Sequence, residues 1–198
     1  MRLKFLLFAL TLLLPNFVTA DELSWGAGAS VSPSAIIREM NLARQNPGLY
    51  ATYLEESRLS YSLGSVDEAL RFLRSTRPLP PLVISPGLCK SAADHCADQA
   101  GGRLGHGNPA RRMQRYGMWG SAWAENISYG KTTAREIIMQ LIVDDGQPAR
   151  KHRKNIFSPN FNYAGAAFGT HARYRSVCNI DFAGTYTERG AAIIARNY

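Results

Sequence analysis

Helical patterns come first in this chain and strand-like patterns come late, with no regular strand–helix alternation. A doubly wound parallel sheet needs that alternation, so the order predicts an α+β domain. Ser32-Pro33 opens a helix with Ile36, Ile37, Met40 and Ala43 at helical spacing. Asn46-Pro47-Gly48 breaks it and begins a second short helix through Leu54. Ser65-Val66-Asp67-Glu68 reads as a capping box leading a helix through Arg74. Pro78 to Pro86 is a proline-rich extended connector. From Ser85-Pro86 a helix carries Leu88, Ala92, His95, Cys96 and Gln99 on one side until Gly101-Gly102 ends it. A short helix is predicted over Pro109–Tyr116 and a strand over Trp123–Tyr129. Thr133–Glu136 is a further capping box, ahead of the apolar stripe Ile137, Ile138, Leu141 and Ile142. Asn162–Thr170 and Tyr174–Phe182 read as the two strands of a hairpin, and the last residues carry no strong pattern.

The N-terminus is organised differently. A cationic start, Met1 to Lys4, precedes an apolar run from Phe5 to Leu14, and Val18-Thr19-Ala20 supplies small residues before Asp21. This is the order of a cleavable export signal, with cleavage expected after Ala20. An uncleaved anchor is the alternative, but about 10 apolar residues fall short of the roughly 20 that span a bilayer. The expected division is a signal over 1–20, a linker over 21–32, one domain over 33–184 and a tail over 185–198. No integral membrane span is expected once the signal is removed, and the expected location is secreted, extracellular or periplasmic. With 198 residues, 45% hydrophobic and 19% charged, the chain can bury a core, which excludes a disordered or polytopic membrane protein. Export permits disulfides. Cys89 and Cys96 lie seven residues apart on one predicted helix, about 10 Å along it and beyond bridging distance. A bridge therefore joins one of them to Cys178, or all three thiols are unpaired and buried.

Three of the four histidines stand in pointed local contexts. His106 sits in a glycine-bounded loop, Leu104-Gly105-His106-Gly107, and His152 follows a turn at Gly146-Gln147-Pro148, amid Arg150, Lys151, Arg153 and Lys154. His171 falls in the turn of the predicted hairpin, where solvent is expected to reach it, and His95 is expected to pack within its helix. Glu125 lies inside a strand between Trp123 and Ile127, an expensive place for an unpaired charge. The basic cluster around His152 reads first as a solvated helix end. Its functional version is a rim attracting anionic lipid head groups or envelope polymers.

Together these elements resemble the CAP superfamily, the domain shared by cysteine-rich secretory proteins, antigen 5 and plant pathogenesis-related proteins of class 1, in its microbial, cysteine-poor branch. The resemblance rests on Asn41-Leu42-Ala43-Arg44, Ala92-Ala93-Asp94-His95, Gly105-His106, Glu125-Asn126-Ile127, His152-Arg153 with Asn155-Ile156, and Gly165 and Gly169, in that order. It implies a three-layer α-β-α sandwich around a small, mostly antiparallel sheet. It also implies a cleft lined by two histidines and two acids, here His106, His152, Glu125 and a fourth acid at Asp144 or its neighbour Asp145. Leu141 stands where the family has a tryptophan.

Two neutral imidazoles with carboxylates suit zinc or a similar divalent ion, so His106, Glu125 and His152 are the expected metal ligands, and such binding ends as the histidines protonate below about pH 6.5. A metal-free polar cleft, with Glu125 bonded to a histidine, is the other reading. The favoured function is a secreted binding protein holding a small lipid-like or other ligand in that cleft, with an optional divalent ion and no catalytic residues. The alternative is a metal-dependent, peptidase-like hydrolase in which Glu125 activates water. Nucleic-acid binding, prompted by a net charge of +8, ranks last because no binding motif accompanies the charge.

Overall fold

A computed structural model of the chain describes residues 31–190. The expected export signal, its cleavage point and most of the linker lie outside these residues. Seven α-helices and four strands follow in order: α1 (Pro33–Gln45), α2 (Pro47–Glu56), α3 (Leu63–Ser75), β1 (Val83–Ile84), α4 (Pro86–Gln99), α5 (Pro109–Tyr116), β2 (Gly117–Tyr129), α6 (Ala134–Val143), α7 (Lys151–Ile156), β3 (Tyr163–His171) and β4 (Arg175–Glu188). The sheet runs β1-β3-β4-β2, with β1 parallel to β3 and the other pairs antiparallel, which makes the fold α+β.

Alternation along β3 and β4 divides the molecule into layers. Ala164, Ala166, Cys178, Ile180 and Phe182 face the main core, which they share with Ile36, Met40, Leu73, Ile138 and Ile142 from α1, α3 and α6. Ala167, Val177 and Ala183 face the opposite way, beneath Ala92, Cys96 and Leu88 of α4 and Met113 of α5. The sheet thus lies between two helical layers, as the resemblance implied. Gly165 explains how closely α4 approaches: a methyl group there would collide with the backbone of Leu88 and Cys89.

Sequence-local signals act where they were read, with one exception. Ser32 caps α1 by accepting from the Ala35 N–H, Ser85 caps α4 through Leu88, and Thr133 with Glu136 forms a complete capping box on α6. The box read at Ser65–Glu68 is not one. α3 begins at Leu63; Ser65 donates its hydroxyl to Asp145, and Glu68 accepts from Arg150 and Arg153. The proline-rich connector is held by α1, where Asn41 exchanges two bonds with the Leu82 backbone and buried Arg44 donates to the carbonyls of Pro80, Ile156 and Ser158. β2 is longer than predicted, and β4 continues to Glu188, past the expected start of the tail at 185. Cys89, Cys96 and Cys178 are all free thiols, as the second reading of the cysteines expected, with Cys96 and Cys178 buried but Cys89 only half-buried.

Candidate functional site

The site is built on a pinned loop. Gly102, Gly105 and Gly107 have φ of +98°, +93° and +59°, a conformation that glycine adopts without strain. Four side chains then hold the loop by its carbonyls. The Gly105 oxygen accepts from His95 Nε2 at 3.0 Å and Gln99 Nε2 at 2.7 Å, the Arg103 oxygen from His171 Nε2 at 3.0 Å, and the His106 oxygen from an Arg112 guanidinium nitrogen at 2.8 Å. His171 is buried and not solvated as expected: its Nδ1 accepts the N–H groups of Arg173 and Tyr174, which leaves Nε2 as the protonated nitrogen. His95 is buried on α4, and burial pushes its pKa down, so the neutral imidazole is favoured.

On this loop His106 bonds through Nδ1 to Glu125 Oε1 at 2.7 Å, while the other Glu125 oxygen receives the Arg112 guanidinium. Opposite it, His152 bonds through Nδ1 to Asp144 Oδ1 at 2.7 Å. Asp144 is the left-handed C-cap of α6, and its second oxygen accepts the backbone N–H groups of His152 and Arg153. Arg153 fixes the same corner by donating to the Ile142 and Val143 carbonyls, which end α6 without helical partners. Each imidazole is therefore steered by a carboxylate, and Nε2 is the ring nitrogen left unbonded among the described residues. Such a pairing fixes the tautomer and the orientation of the ring.

His106 and His152 line one cleft of about 480 Å³, together with Ile127, Tyr129, Leu141 and Asp144. β2 is an edge strand of the sheet, and the imidazoles reach the cleft from different elements, His106 from the loop between α4 and α5 and His152 from α7. Glu125 does not line the cleft as a ligand. Its side chain is 1% exposed, both oxygens are engaged, and it acts on the cleft through His106. The choice between Asp144 and Asp145 is geometric: Asp144 holds His152, whereas Asp145 accepts from Ser62 and Ser65 at the start of α3. Asn126 is buried, donating to the His152 carbonyl and accepting from Asn155. Half of the basic cluster is structural, because Arg150 and Arg153 both pair with Glu68.

Two residues of the site went unread in the sequence. Arg112 neutralises Glu125 from α5. Asp181, the register partner of Glu125 on β4, is completely buried. Burial, followed by the Glu125 charge, pushes the Asp181 carboxyl up to about 8. Asp181 lies in the apolar stretch Cys178–Ala183, the same signal that drew attention to Glu125.

Comparison with known proteins follows this geometry. Residues 67–180 match the CAP family, described as the cysteine-rich secretory protein family. The uncharacterized protein YkwD of Bacillus subtilis (strain 168) is 30% identical over 101 residues, which is 48% of this chain and 37% of that protein. The chain thus spans little more than a third of that relative's length. Among solved structures, a cysteine-rich secretory protein from Staphylococcus aureus superposes with a TM-score of 0.42 at 15% identity, over 62% of this chain and 38% of that one. An outer surface protein of Borrelia burgdorferi superposes with a TM-score of 0.43 at 12% identity, over 71% of this chain and 93% of that one. No helix among the described residues is long and apolar enough to cross a membrane.

Proposed function

The chain belongs to the CAP family of cysteine-rich secretory proteins, and we propose that it is an exported binding protein whose cleft holds a small lipid-like ligand with an apolar body and a polar group. The observation that carries this reading is the pair of carboxylate-steered imidazoles, His106 and His152, lining the same cleft as Ile127, Leu141 and Tyr129. The wall mixes Leu104, Ile127, Leu141 and tyrosines with Lys131, Gln140 and Gln147 beside the two imidazoles, so it offers both an apolar surface and oriented polar groups to a small molecule. Export is supported by the N-terminal pattern and by the family's description as secretory.

A divalent ion is the optional partner in this reading. The donors are two imidazole Nε2 atoms, with Glu125 and Asp144 behind them as orienting groups, and solvent or ligand would complete the shell. Bound there, a zinc-like ion would supply a Lewis-acidic anchor for a ligand oxygen. Nothing favours the hydrolase, since Glu125, its water-activating residue, has no free oxygen and is shut from solvent. The test is mass spectrometry of molecules that co-purify with the protein, with elemental analysis in the absence of chelator. An amphipathic compound is expected with the parent protein, reduced at least about tenfold in His106→Ala and His152→Ala. Undiminished ligand in both variants overturns the proposal.

A further inference from the structure

We infer that a second cavity, on the other side of the loop that carries His106, binds a small phosphorylated sugar or polyol. The cavity, of about 260 Å³, lies between the C-terminal half of α4 and the start of α5, and is lined by Arg103, Arg111, Arg112 and Arg115 with one carboxylate, Asp98. Arg112 is committed to Glu125 and the His106 carbonyl, and Arg115 pairs with Asp94 at 2.9 Å. Arg103 and Arg111 are exposed, and their side chains have no hydrogen-bond or ion-pair partner among the described residues.

Two guanidinium groups without ion-pair partners line one hollow against a single carboxylate, Asp98, and an anion held between them meets this excess of positive charge. The start of α5, capped by Asn108 through the Arg111 N–H, adds the positive end of a helix to the same wall. Planar, forked guanidinium donors match the oxygens of a phosphate. Asp98 narrows the chemistry further. Exposed and without a partner among the described residues, it opposes a bare anion but accepts from a hydroxyl carried beside one. The hollow is smaller than the roughly 300–1,000 Å³ of a drug-sized site, which suits a short phosphopolyol.

The inference is independent of what occupies the His106–His152 cleft. Calorimetric titration of the full chain at low salt with glycerol 3-phosphate, inorganic phosphate and glycerol tests it. Glycerol 3-phosphate is expected to bind about tenfold more tightly than phosphate, and glycerol not at all. Arg103→Gln with Arg111→Gln is expected to weaken both anions at least about tenfold without changing the thermal midpoint, because neither side chain holds the fold. Asp98→Ala is expected to tighten phosphate and erase the preference for glycerol 3-phosphate. His106→Ala is expected to leave both affinities unchanged. Absence of binding to the parent protein, or affinity that survives the double substitution, overturns the anion site. Equal affinity of the parent for the two anions overturns the polyol assignment.

Discussion

At the scale of single residues, a carboxylate inside a strand has to be matched, and Glu125 is matched twice, by His106 and Arg112. Burial, and then the Glu125 charge beside it, moves the Asp181 carboxyl from its ordinary 3.8 to about 8. The native state therefore keeps a proton that the unfolded chain releases, and the sign follows from proton linkage. Stability from this group is fully present below the unfolded value and declines as pH rises from about 4 towards 8. Asp181→Asn mimics the neutral acid and cannot ionise. Its thermal midpoint is expected to exceed the parent's at pH 8 and to lie close to it at pH 4; parallel pH profiles for the two proteins count against a neutral Asp181. The sequence made Glu125 conspicuous because a charge interrupts a strand pattern. Arg112 offered no such cue, since its target belongs to another element and only the packing of α5 on β2 brings them together.

At the scale of elements, the helix starts governed by local chemistry were legible: serine and threonine side chains before the first turn place α1, α4 and α6. The misread box at Ser65 shows where local chemistry yields. Asp145, eighty residues on in sequence, claims the serine hydroxyl at 2.8 Å, and two buried or half-buried arginines claim Glu68. Gly165 was visible only as part of a family pattern, and its physical reason is the α4 backbone lying against β3. Because the obstructing atoms are backbone, Gly165→Ala has no side chain to push aside. A loss of about 2–3 kcal/mol is expected, measured by urea unfolding. An unchanged midpoint contradicts so close an approach.

At the scale of the whole molecule, the three thiols leave the fold without a covalent cross-link. Burial pushes the Cys96 thiol up to about 11 and raises those of Cys89 and Cys178, so all three stay protonated and poorly reactive at neutral pH. Thermal midpoints with and without reductant are expected to coincide; a lower midpoint under reducing conditions reveals a bridge. The order of helices and strands foretold the α+β class, whereas the layers and the cleft were legible only through the family resemblance, because the cleft forms where two helical layers meet over an edge strand. Strand order carries a last consequence. β1 and β2 have no neighbours except β3 and β4, so every pairing in the sheet waits on residues 163–188. A nascent chain that lacks them holds helices with bare apolar faces and no sheet to cover them, so the domain cannot close before residues 163–188 have been made.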